Sequence, residues 1–175
     1  MIRRLFIFVL IALLAVGGAF AEEVPPLVRL HVVAEDDSAE AQNLKKELRN
    51  VCLRCAEVCI GDAPDADEAY MRLQAHVQDF EDACTARARE LGYAGEITAE
   101  TGSFDFPDRL YGDVLVPAGE YRALRITIGS GEGHNWWCVL YPTLCVINEE
   151  DAASGEIRYY SRVLEWLKAR IGGVL

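Results

Sequence analysis

The chain of 175 residues is short of positive charge, with 17 Lys plus Arg against 28 Asp plus Glu and a formal charge of −11. It has no cluster of basic residues and so lacks the phosphate-neutralising surface that nucleic-acid binding requires. Cysteine is scarce as well: six residues are too few for a small scaffold stapled by disulfides. No apolar run reaches the roughly 20 residues of a confident membrane span. Internal repeats and low-complexity tracts are missing too. The glycine-rich run Gly129-Ser130-Gly131-Glu132-Gly133 has neither the Lys nor the following Ser/Thr of a phosphate loop, and Glu132 would repel a phosphate. Apolar residues are not lacking: at 51% they are too abundant for a disordered chain. What remains is one compact acidic domain.

Some of that apolar content belongs to a leader. Met1 to Arg4 carries two positive charges, Leu5 to Val16 is uninterrupted by polar residues, and Ala19-Phe20-Ala21 offers small residues where a signal peptidase reads. Residues 1–21 are therefore expected to be a signal peptide, with an uncleaved anchor as the alternative. Both readings export residues 22–175 as a single domain. Removing 21 of the 175 residues, Arg3 and Arg4 among them, leaves 154 with a formal charge of −13. A chain of that size can bury a core without staples, in a compartment that permits disulfides.

Periodicity predicts an α+β domain. Val28, Leu30 and Val32 alternate with Arg29 and His31 as an N-terminal strand. Asp37 with Glu40 reads as a capping box opening a helix with the stripe Leu44, Leu48, Val51, Cys55 and Val58, ending at Gly61. Asp65 with Glu68 opens a second helix with the stripe Ala69, Leu73, Val77, Phe80, Cys84, Ala88 and Leu91, closed by a left-handed Gly92. A short connection makes the two an antiparallel helical hairpin. Strands are predicted at Glu96 to Phe104, Gly112 to Val116 and Tyr121 to Ile128, the last two as a hairpin around Pro117-Ala118-Gly119. With the first strand they make a small, mainly antiparallel sheet of about four strands. An acidic linker then leads to a C-terminal amphipathic helix with Ile157, Tyr160, Val163, Leu164, Leu167 and Ile171 on one side.

The cysteines form two groups. Cys138 and Cys145 flank Pro142 in a segment read as loop, and either close a small ring by a disulfide or stay as two reduced thiols beside the tryptophans. Cys52, Cys55 and Cys59 share a helical face, but Cys84 is expected opposite residues near Ala41, more than two turns from Cys52. All four match the apolar stripes or their edges, so they read as core in preference to a metal site or a disulfide. His134 with Cys138, helped by Asn135, resembles a nucleophilic pair. It lacks a helix N-terminus or elbow to activate the thiol. The acidic residues are scattered over helix faces as a solvated surface. Trp136 and Trp137, if extended, point to opposite sides, so that one entering the core leaves the other as a rigid anchor for a partner.

Three stretches together resemble stage II sporulation protein R of endospore-forming bacteria: Pro117-Ala118-Gly119-Glu120-Tyr121 running on through Ala123 to Ile126, the Gly129, Gly131 and Gly133 run, and Asn135-Trp136-Trp137-Cys138-Val139-Leu140-Tyr141-Pro142 with Leu144-Cys145. The likeness extends upstream to Phe106-Pro107, Arg109 and Tyr111-Gly112, and to Leu30, Val32, Ala34 and Asp37-Ser38. This sequence departs from the family pattern at Glu35-Asp36 and at Thr143, and its helix cysteines are no part of that pattern. The resemblance implies a secreted signalling protein, made in the forespore and released between the forespore and mother-cell membranes. There it would activate a membrane-embedded aspartic protease that processes pro-sigma-E. It brings no catalytic residues, cofactor, metal or small-molecule substrate, and any membrane contact would run through the partner or an uncleaved leader. The segment carrying Gly131, Gly133, Asn135, Trp136, Trp137, Tyr141 and Pro142 is expected to meet the partner. The alternative from another class is an extracytoplasmic cell-wall hydrolase using a loop Cys or an acidic residue, and a third is a purely structural envelope protein.

Overall fold

The computed structural model of the chain describes residues 26–111, 114–143, 145–146, 158–159 and 169. The elements in order are β1 (Val28–Val33), α1 (Ala39–Ile60), α2 (Ala66–Ala75), α3 (Val77–Glu90), β2 (Ile97–Phe106), β3 (Arg109–Tyr111), β4 (Val114–Val116), β5 (Gly119–Ile128), β6 (Asn135–Tyr141), β7 (Cys145–Val146) and β8 (Arg158–Tyr159). The α+β class is as the sequence predicts. The main sheet has four strands in the order β2-β5-β1-β6. Its two outer pairings are antiparallel, while β1 and β5 run parallel. The predicted leader and most of the predicted C-terminal helix lie outside the described residues. Within that helix span Arg158 and Tyr159 form β8, paired with β7, and Ala169 is helical.

The predicted hairpin between Gly112–Val116 and Tyr121–Ile128 does not form. β5 instead pairs with β2 over the full run from Ile97 opposite Ile128 to Phe106 opposite Gly119. A pairing of that length satisfies far more backbone groups than β4 could offer with its three residues. β4 pairs with β3 in a separate two-stranded sheet, as an excursion between the two long strands.

The helices differ from expectation in three ways. Ser38, not Asp37, caps α1, its hydroxyl accepting from the Ala41 amide at 3.2 Å. Val58, counted in the apolar stripe, is 88% exposed. The buried face there runs through Cys52, Ala56 and Ile60, which join Ala66 and Ala69 of α2 in the core. Finally, the second predicted helix is two: His76, at φ −112° and ψ 13°, ends α2 and starts α3. Its Nδ1 pairs with Asp79 Oδ2 in the first turn of α3 at 2.7 Å. Leu73, Phe80, Cys84 and Ala88 are buried as the stripe requires, because apolar periodicity persists across a single non-helical residue, but Leu91, counted in the stripe, lies at the C-cap of α3 and is exposed. The break changes the register of α3 along α1, and Cys84 lies against Cys52 with 3.5 Å between the sulfurs, not opposite Ala41.

Alternation on β1 divides the sheet into two faces. Leu30 and Val32 stand beside Leu124 and Ile126 of β5 in the core shared with Leu48, Cys52 and Phe80 of the helices. Arg29 and His31 point the other way, and this face is covered too. The fully buried Arg29 guanidinium lies 4.1 Å from the Phe106 ring centre and 4.9 Å from that of Tyr121, and its Nη2 donates to the Tyr111 hydroxyl at 2.7 Å. Aromatic faces thus hold a charge whose Nε and Nη1 have no hydrogen-bond partner. Burial lowers its pKa from the ordinary arginine value. Through Tyr111, Arg29 fastens the β3–β4 excursion to the sheet.

α3 ends in a Schellman motif: Tyr93 N–H donates to Ala88 O at 2.9 Å and Gly92 N–H to Arg89 O at 3.0 Å, with Gly92 at φ +84°. A Cβ at Gly92 would meet nothing within 4 Å. Gly92→Ala should therefore lower unfolding stability by about 1 kcal/mol, from backbone conformation alone, read as a reduced urea midpoint at unchanged m value.

Candidate functional site

β1 and β5 are parallel neighbours, so the loops leaving their carboxyl ends, residues 34–38 and 129–134, emerge side by side. In open sheets with parallel strands this is where ligand crevices form. Here the two loops are stitched together. Gly133 N–H donates to Ala34 O at 2.9 Å, Glu132 N–H to Glu35 O at 3.0 Å, and the Ser130 hydroxyl to Glu35 O at 3.1 Å. Asp37 accepts from the His134 amide at 2.6 Å and contacts the His134 ring nitrogen Nδ1. These contacts, the amide first, hold the Asp37 carboxyl below its ordinary pKa. From α1, Lys45 Nζ donates to His134 O at 2.7 Å and to Gln42 Oε1 at 2.5 Å. Lys45 is 7% exposed, and burial lowers its pKa from the ordinary lysine value.

Two of the predicted glycines have distinct physical reasons to be there. Gly131 has φ +65°, which L side chains rarely adopt. Gly133 has an ordinary φ, but a Cβ on it would fall 2.2 Å from the Asp36 carbonyl oxygen. The run is thus a close-fitting connection between two strands.

The segment that follows is strand β6, not the loop expected from sequence, and it forms the sheet edge beside β1. Trp136 opposes Val32 and Trp137 opposes His31, so the two indoles do point to opposite faces. Both are half-buried. Trp136 reaches the helix side, where the Arg49 guanidinium lies 5.2 Å from its ring centre. Trp137 stacks on His31 at 3.8 Å between ring centres and meets Phe106 edge-on at 4.8 Å. Burial pushes the His31 pKa down from 6.5 to about 4, outweighing the opposing contribution of Asn135.

A cleft of about 460 Å³ opens beside the stitched loops, lined in part by Asp37, Arg109, Gly133, Asn135 and Trp137. Of the predicted partner residues, Gly133, Asn135 and Trp137 meet here. Gly131 is part of the loop behind, Trp136 faces the helices, and Tyr141 ends the strand roughly 20 Å away. Tyr141 and Pro142, both half-buried, are joined by a cis peptide. Cys138 is fully buried in β6 and disulfide-bonded, so its sulfur is no nucleophile, and the His134 ring is engaged with Asp37. The four helix cysteines are free thiols, Cys52 and Cys84 fully buried, Cys55 and Cys59 partly so. Among the described residues no group of three or more His, Cys, Asp or Glu could hold a metal ion. Sequence reasoning counted Arg109 and Asp37 in the family likeness but placed neither of them, nor Lys45, at the site. The available signal was a lysine beside the apolar stripe at Leu44.

Residues 25–151 match the family model for stage II sporulation protein R. The chain belongs to that family. Among curated proteins, stage II sporulation protein R of Bacillus subtilis (strain 168) is 33% identical over 129 residues, covering 74% of this chain and 56% of that relative. This chain therefore matches only a little over half the length of its curated relative. No solved structure matches. The family match spans the stitched loops, β6 and Cys145.

Two measurements test the site. Gly133→Ala should cost about 1–3 kcal/mol in chemical unfolding, because the neighbour that must move is backbone. His31 should make stability fall with acid. The unfolded chain takes up this proton from about pH 6.5 downward, the folded one only near 4, so the stabilisation is complete above 6.5 and fades between those values. Unfolding at pH 7.5 and at pH 5 should differ by about 2 kcal/mol more in the wild type than in His31→Phe.

Proposed function

We propose that this chain is an exported signal of sporulation that activates a membrane-embedded aspartic protease to process pro-sigma-E, acting as a ligand and not as an enzyme. The leader-like residues 1–21 fit delivery to the space between forespore and mother cell, and membership of the stage II sporulation protein R family supports the setting. The observation that carries the binding reading is the preorganised edge: loop 129–134, pinned to residues 34–38 and to Lys45, continues directly into the strand bearing Asn135 and Trp137. A surface that needs no ordering on contact keeps more of its interaction energy for affinity. To activate a partner it must bind the active arrangement better than the inactive one, and a fixed indole and amide are suited to that discrimination.

The disulfide completes the proposal. A bridge from Cys138 to Cys145 belongs to the same proposal, supported by Cys138 being disulfide-bonded while Cys52, Cys55, Cys59 and Cys84 are thiols. That bridge would tie the end of β6 to the segment after Pro142. The hydrolase reading has no observation in its favour, and its thiol form conflicts with the buried, oxidised Cys138.

The deciding experiment co-expresses the membrane protease with pro-sigma-E and adds or omits this chain. Precursor cleavage should depend on the addition; processing that proceeds equally without it would remove the proposal. Trp137→Ala should reduce cleavage at least tenfold in protein that remains folded by circular dichroism, whereas a core role alone would lower Tm and leave the folded fraction fully active.

A further inference from the structure

We propose that Cys52 and Cys84 are a disulfide-forming pair that closes α1 covalently onto α3. Their sulfurs are 3.5 Å apart, both side chains are fully buried, and both are reduced. A disulfide bond is about 2.05 Å long, so the sulfurs need to approach by only about 1.5 Å. The neighbouring thiols are poorer partners for Cys52. Both stand on the same helix as Cys52: Cys55, three residues on, has its Cβ roughly 5–6 Å away, beyond the usual disulfide span of about 3.5–4.5 Å, and Cys59, seven residues on, is about 10 Å further along the axis. Cys84 comes from a different helix, and the break at His76 sets the register that brings it to Cys52.

The reaction balances against a small-molecule disulfide. One of the two cysteines, as thiolate, attacks that disulfide and expels one thiolate, leaving a mixed disulfide on the protein. The second cysteine then attacks the protein sulfur and expels the other. The net change converts two protein thiols and one external disulfide into a Cys52–Cys84 bond and two external thiols, which take up the two protons. The bridge spans 32 positions of chain and would restrict the unfolded state accordingly. It also bears on the site, because the same α1 holds the His134 carbonyl through Lys45. The pairing is independent of which partner the chain activates.

The test refolds the full chain, fully reduced, from urea in a buffer of oxidised and reduced glutathione, which gives the oxidant access before the core closes. Free thiols are then alkylated, and the digested protein is mapped by mass spectrometry. A linked peptide pair carrying Cys52 and Cys84 is expected in the wild type and in the Cys55→Ser/Cys59→Ser variant. Oxidised wild type should melt above its reduced form by on the order of 10 °C more than Cys84→Ala does, a comparison that cancels any contribution from Cys138. Recovery of both thiols alkylated, a link from Cys84 to Cys55 instead, or an equal rise in the Cys84→Ala variant would overturn the pairing.

Discussion

The parallel pairing of β1 with β5 is the constraint on which the rest of the structure depends. Antiparallel neighbours would leave the sheet at opposite ends; these two leave at the same end, so residues 34–38 and 129–134, nearly a hundred positions apart in the chain, become adjacent loops. Once adjacent, they satisfy one another's backbone groups, and Asp37 and Lys45 fasten the remaining amide and carbonyl of His134. The return strand β6 is then laid antiparallel along the free edge of β1, which places Trp137 against His31. Removing the parallel pairing would remove both the cleft and the reason for the glycines beside it.

A second constraint follows from covering both faces of β1. A strand flanked by helices on one side only would keep Arg29 and His31 in water. Here the end of β2, the β3–β4 excursion and Trp137 lie over them, and two ionisable residues enter an aromatic layer. Arg29 keeps company with ring faces and one tyrosine hydroxyl, while His31 stays neutral because protonation would require a buried charge. The aromatic layer and the cleft share Trp137 as a common wall, so the stability of one and the shape of the other are linked.

Much of the fold was legible from local pattern. The α+β class, β1, the long strands β2 and β5, the Asp65 cap and the left-handed Gly92 all follow from periodicity and capping chemistry acting over a few residues. Two of the failures share a cause. The β4–β5 hairpin had suitable turn chemistry, yet the ten-residue pairing of β5 with β2 prevailed. The single long second helix had an unbroken stripe, yet His76 divides it, with Leu73, Phe80, Cys84 and Ala88 buried and Leu91 exposed. Asp37 had capping chemistry, but Ser38 took that role and left the carboxylate for a loop distant in sequence. For the hairpin and for Asp37 a local rule was outweighed by a contact between distant segments.

The same division holds for the candidate site. By itself the sequence determined an acidic, apolar-rich chain with a leader-like start, the opposed tryptophans, the glycine run and a family resemblance that the comparisons bear out. Those properties reside in single residues and their near neighbours. Only the tertiary structure decided that Gly133, Asn135 and Trp137 share a cleft while Trp136 and Tyr141 do not, that Lys45 and Asp37 hold the loop, and that Cys84 meets Cys52. The physical reason is register: side-chain neighbours across a sheet or between helices are fixed by how whole elements align, and that alignment minimises the energy of the entire core, which no short window of sequence contains.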